Sequence, residues 1–159
     1  MPRSRAPRLF RVLVPANDLR RSRRFYETLL GVKGRSVGGG RIYFDCGSVI
    51  FGILDRSRTR PRARAPTEAV YFATNQLEQV HGRAQRLRCL SQELIHADPS
   101  SPAGEVLPRP WGERSFYATD PSGNPLCFVA ARTVFTGTPA QVAHAARSGA
   151  RRSKPRRAR

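Results

Sequence analysis

The chain has 159 residues, 39% of them apolar, and carries 29 Lys and Arg against 11 Asp and Glu, a formal net charge of +18. That length suits one domain, or two small halves sharing a core, and apolar runs such as Val49 to Leu54 are far too short to span a bilayer as a helix. Cys46, Cys89 and Cys127 are odd in number and unpaired in spacing, which argues against a disulfide framework and for a reducing, cytoplasmic setting.

The charge is unevenly placed. Seven basic residues lie between Arg147 and Arg159, and five lie in the connector Arg56 to Arg64. Such segments attract polyanions through counterion release without reading sequence, so nonspecific polyanion contact through the basic tail is the expectation, rather than a dedicated nucleic-acid function.

In chain order, a basic arm (1–8) leads into Leu9 to Val14, a strand of aliphatic residues ended by Pro15. Asn17 or Asp18 then caps a helix over Leu19 to Leu30, because a short side-chain oxygen satisfies an orphan N–H of the first turn. Ser22, Phe25, Tyr26, Leu29 and Leu30 make its inner stripe, and Gly31 closes it. Three short strands follow, Val32–Val37, Arg41–Asp45 and Ser48–Leu54. The first pair is joined by Gly38-Gly39-Gly40, a hairpin turn rather than a phosphate loop because no helix follows it.

The stretch 56–66 has arginine at alternate positions from 56 to 64 and two prolines, and marks an exposed linker. The pattern then restarts. Glu68 to Thr74 reads as a strand, Asn75 as the cap of a helix over Gln76 to Cys89, and Gln92 to Ala97 as a strand. A loop rich in Pro, Ser and Gly (98–108) comes next, then a hairpin of Ser115–Thr119 and Pro125–Val129 around Asp120-Pro121-Ser122-Gly123-Asn124. From Thr136 onward the composition predicts disorder.

The order is thus strand, helix and three strands, twice. A shift of 58 residues lays VLVPANDL (Val12–Leu19) over VYFATNQL (Val70–Leu77). A shift of 76 lays GSVIFGIL (Gly47–Leu54) over GNPLCFVA (Gly123–Ala130). Residues 9–55 and 67–135 therefore form two βαβββ modules of an α+β fold, followed by a basic tail (136–159).

With that architecture, VPANDLRRSRRFYETLLG (Val14–Gly31) and PWGERSFYATDPSGNPLCFV (Pro110–Val129) resemble the vicinal oxygen chelate superfamily of glyoxalase I, extradiol dioxygenases and bleomycin-resistance proteins. The second stretch is most similar to the bleomycin-resistance branch. The resemblance covers Leu9 to Val129 and implies two curved mixed sheets cupping a cleft, often in a homodimer. In metal-dependent members a divalent ion is held from the first and last strands of each module. Carried onto this sequence, those places fall at Arg11, about Phe51, Ala69 and Cys127, of which only a thiolate could ligate. His81, His96, Glu68 and Glu113 are the other donors, with no ligand-like spacing on one element.

The resemblance therefore implies a small-molecule-binding protein without the usual metal and with no cofactor. The alternative is a metal-dependent lyase, isomerase or dioxygenase with relocated ligands. If the former ligand strands face inward, alternation places Arg11 and Leu13, then Val49, Phe51 and Ile53, then Ala69, Tyr71 and Ala73, and lastly Cys127 and Val129 on the cleft. Trp111 is expected to stack on ligand. The candidate ligand-binding residues are thus Arg11, Phe51, Tyr71, Trp111 and Cys127. Arg11 would complement an anionic or carbonyl group. The competing reading has Phe51 and Tyr71 as core, Trp111 packed on the hairpin, and Arg11 paired with Glu68 or Asp45.

Overall fold

The computed structural model describes residues 11–58, 68–95, 98–136 and 138–152. They fall into two compact units, drawn from Met1–Ala69 with Thr119–Pro125 and from Val70–Ala118 with Leu126–Arg159. The result is an α+β protein with two curved, unclosed four-stranded sheets.

In the first unit β1 (Arg11–Ala16) leads to α1 (Leu19–Leu30), β2 (Arg35–Ser36), β3 (Arg41–Cys46) and β4 (Val49–Asp55), in the sheet order β1-β4-β3-β2. Of the two candidate caps, Asp18 accepts the hydrogen bond from Arg21 N–H, and Gly31 ends the helix in the left-handed region. Strand β2 is shorter than Val32–Val37 because Gly34 is tied to the helix. Its N–H donates to Glu27 Oε1 and its carbonyl accepts from Arg23. Residues Ser22, Phe25, Tyr26 and Leu29 are buried, as the stripe predicts.

The second unit repeats the plan with β5 (Val70–Thr74), α2 (Leu77–Arg86), β8 (Leu107–Pro108), β9 (Arg114–Thr119) and β10 (Pro125–Ala130), in the order β5-β10-β9-β8. Of the predicted strand over Gln92–Ala97, Leu94–Ile95 form β6, and 96 and 97 lie outside the described residues. Strand β6 pairs with β7 (Asp98–Pro102), which lies inside the predicted loop. The N-cap of α2 is Gln76 rather than the expected Asn75, with no side-chain cap bond, and Thr74 Oγ1 accepts the Gln76 N–H in the turn just ahead of it.

Both central pairings are parallel, and their register corrects one expectation. In the first unit Val12 sits opposite Phe51 and Leu13 opposite Gly52. In the second, Tyr71 sits opposite Cys127. Since Leu13 and Tyr71 are 58 residues apart, Gly52, not Phe51, occupies the place of Cys127. The sequence overlay of the last strands is therefore one residue out of phase, which turns every side chain to the other face. Phe51 does not share the face of Arg11 and Leu13. It is 2% exposed and packs under α1, with ring centroids 4.8 Å from Tyr26 and 6.2 Å from Phe44. Gly52 leaves room on the opposite face. A Cβ there would lie 2.4 Å from Leu13 Cδ2 and 3.0 Å from Tyr43 Cδ1, so a larger residue would displace Leu13.

The turn between β9 and β10 belongs to the first unit. Asp120, nearly buried, accepts from Ser122 N–H, Asn124 N–H, the Asn124 amide and, at 2.6 Å, the Tyr26 hydroxyl of α1. Asn124 in turn donates to Pro15 O at the end of β1. The turn motif thus closes its own backbone and also anchors it against the first module.

The predicted disorder from Thr136 onward does not hold for α3 (Pro139–Arg152). Composition concealed a reciprocal capping box. The Thr138 hydroxyl accepts from Gln141 N–H while Gln141 Oε1 accepts from Thr138 N–H, with Pro139 in the first helical position and an alanine-rich run behind it. The last residues of the basic tail, the N-terminal arm and His96 lie outside the described residues.

Candidate functional site

A cavity of about 400 Å³ opens in the second unit. Strand β5 contributes Tyr71, Phe72 and Ala73, β10 contributes Val129, and the segment after it Val134 and Phe135. Trp111 and Glu113 close it from just before β9. This volume and its aromatic walls are those of a small-molecule pocket.

Alternation explains most of the lining. On β5, Tyr71 and Ala73 turn away from the helix face. On that face Phe72 stacks on Phe128, and Phe128 on Phe116, at 5.1 and 5.3 Å. The α2 side is completed by His81, whose ring meets Phe116 edge-on and whose Nε2 lies 2.9 Å from Gly104 O. On the cavity side, counting back from Tyr117 through Ser115 reaches Glu113. That parity is readable in the sequence, and it turns inward one of the donors named there, Glu113.

The loop before β9 is set by Arg109, which is 3% exposed. All five of its guanidinium N–H groups have acceptors. Nε donates to Ser115 Oγ, Nη1 to Ser101 Oγ and Pro102 O, and Nη2 to the carbonyls of Ala103, Glu105 and Ser115. Just after it, a turn closed by Gly112 N–H to Arg109 O carries Pro110 and Trp111, and Gly112 at φ 101° supplies a conformation that a side chain would resist. Trp111 then donates its indole N–H to Glu113 Oε2 at 2.7 Å, while Phe135 N–H donates to Glu113 Oε1 at 2.9 Å. Glu113 is 6% exposed, and no ion pair found among the described residues includes it.

Behind Tyr71 lies a second polar group of the same face. The Tyr71 and Tyr117 hydroxyls are 3.4 Å apart. Cys127 is fully buried beside Tyr117, and burial pushes its thiol up to about 12. Burial likewise raises Tyr117, with the Tyr71 hydroxyl adding to the effect. At neutral pH both are un-ionised, so Cys127 is a packed thiol and not a nucleophile.

Of the five sequence-derived residues, Tyr71 and Trp111 meet in this cavity, and Cys127 lies opposite Tyr71 in the register without lining it. Phe51 and Arg11 are in the first unit, on opposite faces of its sheet. Arg11 is exposed, with its guanidinium 5.5 Å above the Tyr43 ring. Sequence reasoning named Glu113 among the candidate donors, and it missed Arg109 as its scaffold and Val134 and Phe135, which fall beyond the last strand pattern.

The described residues do not fit a metal centre. Among the described residues no group of three or more His, Cys, Asp and Glu could hold an ion. The first-unit position in register with Cys127 is Gly52, which offers no donor. No helix among the described residues is long and apolar enough to cross a membrane.

The profile of the Glyoxalase/Bleomycin resistance protein/Dioxygenase superfamily matches residues 8–128, and the chain belongs to that family. Among solved structures it is similar to a lactoylglutathione lyase from Agrobacterium tumefaciens (19% identity, 79% of this chain, 95% of that one, TM-score 0.56). It is also similar to a glyoxalase/bleomycin resistance protein/dioxygenase from Nocardioides (23% identity, 84% and 88%, TM-score 0.56). A glyoxalase-related enzyme from Fulvimarina pelagi resembles it too (17% identity, 79% and 88%, TM-score 0.59). At these identities the likeness is one of fold. Among curated proteins none matches.

Proposed function

We propose that the chain binds a small organic molecule in the second-unit cavity, without metal-assisted chemistry. The observation that carries this reading is the cavity itself: aromatic side chains of Tyr71, Trp111 and Phe135 around one fixed carboxylate. Apolar walls supply affinity by leaving water, and one oriented polar group supplies selectivity. Tyr71 is 58% exposed, so its ring is available to a ligand at little cost to the fold.

Trp111 is the sole tryptophan and reports on the cavity directly. Titration of the intact protein with a library of aromatic small molecules is expected to change its emission saturably, and Tyr71→Ala to weaken the response about tenfold or more, as loss of one aromatic wall implies. Saturable binding that Tyr71→Ala leaves unchanged would place the site elsewhere and overturn the reading.

A further inference from the structure

We propose that the molecule this cavity selects is an organic cation, a protonated or quaternary amine on an aromatic or bulky apolar body. This rests on the reading that the cavity binds a small molecule, and it runs against the +18 charge of the chain. Bulk charge governs long-range steering, whereas selection is decided by the groups that line the site.

Three observations point the same way. Glu113 is buried in the cavity wall, and its hydrogen bonds come from neutral donors, the Trp111 indole and the Phe135 amide, which orient it without neutralising it. Each carboxylate oxygen has a further lone pair to offer, so a cation can be paired without dismantling either contact. The walls around it include the aromatic side chains of Trp111, Tyr71 and Phe135, and aromatic faces attract cations.

The third observation removes the opposite choice. Arg109 is the guanidinium whose ring contact falls in this unit, 5.9 Å above Tyr117, and every one of its N–H groups is already donating to serines and carbonyls. It has no donor left for a ligand carboxylate or phosphate. Arg11, which the sequence offered as an anion's partner, belongs to the other unit. The one formal charge that lines the cavity is negative.

The test compares three probes of one shape on the full chain by isothermal titration calorimetry: 1-methylquinolinium, 1-methylnaphthalene and 1-naphthoate. The cation is expected to bind at least about tenfold more tightly than the other two, as a cation–carboxylate contact with aromatic walls implies. Its affinity should hold or rise with added salt, since screening removes repulsion from the basic surface while the buried contact persists. Glu113→Gln should abolish the preference for charge and keep the affinity for 1-methylnaphthalene, whereas Tyr71→Ala should weaken both. The neutral probe thus verifies that the Gln variant is folded and its cavity intact. Equal affinities for the three probes, or tighter naphthoate, would overturn the cation assignment and leave the cavity standing. Binding of none would overturn the cavity reading itself.

Discussion

The two units share strand order and register, and they differ in what stands at matching places. Leu13 over Gly52 in the first corresponds to Tyr71 over Cys127 in the second. In the first, a missing side chain lets Leu13 and Tyr43 fill the space themselves. In the second, the ring of Tyr71 stands out from the sheet, and the loop pinned by Arg109 brings a tryptophan and a carboxylate to its edge. A repeated backbone therefore serves as scaffold twice, and the chemistry depends on a few side chains and one loop.

The sharpest way to break this comparison is through Phe51 and Tyr71, which the sequence offers as equals. Phe51→Ala removes a fully packed ring from the Tyr26–Phe44 cluster and is expected to cost about 3–5 kcal/mol in urea denaturation. Tyr71→Ala, at an exposed position, should stay within about 1 kcal/mol. Equal costs would mean that the register assigned to β4 is wrong.

Gly52→Ala tests the same register from the other face. The new methyl meets Leu13 and Tyr43, and the expected loss is about 1–3 kcal/mol, toward the lower end because Leu13 is partly exposed and can turn aside. A neutral or stabilising result would show open space where the structure has contact.

The smallest effect is confined to alkaline pH. The Cys127 thiol ionises near 9.0 when unfolded and at about 12 when folded. Below pH 9 both states keep the proton and the contribution is intact. Between 9 and 12 the unfolded chain gives up its proton first, so stability falls as pH rises. Tyr117, also raised, adds a loss of the same sign above pH 10. Thermal melts of Cys127→Ala should fall less steeply over this range than those of the parent, and identical slopes would refute the burial assigned to the thiol.

Much of the fold was legible in the sequence because its signals are local. The α1 stripe, the Asp18 cap, the triple-glycine hairpin and the Asp120–Asn124 turn each follow from spacing and side-chain chemistry within a few residues. The repeat of two βαβββ modules follows from laying one half on the other. The capping box of α3 was also present, as Thr138 three residues before Gln141, but an Ala, Arg and Pro composition hid it.

What only the tertiary structure decided concerns parity and distance. Strand alternation has period two, so an overlay that slips by one residue reads as well in sequence and reverses every face; the parallel pairing of Leu13 with Gly52 resolved it and sent Phe51 to the core. The cavity assembles Tyr71, Trp111, Glu113 and Phe135 from segments far apart in the chain. The guanidinium of Arg109, one of many in a basic sequence, proved to be wholly spent on its own loop, and its fate depends on which carbonyls the fold brings within reach.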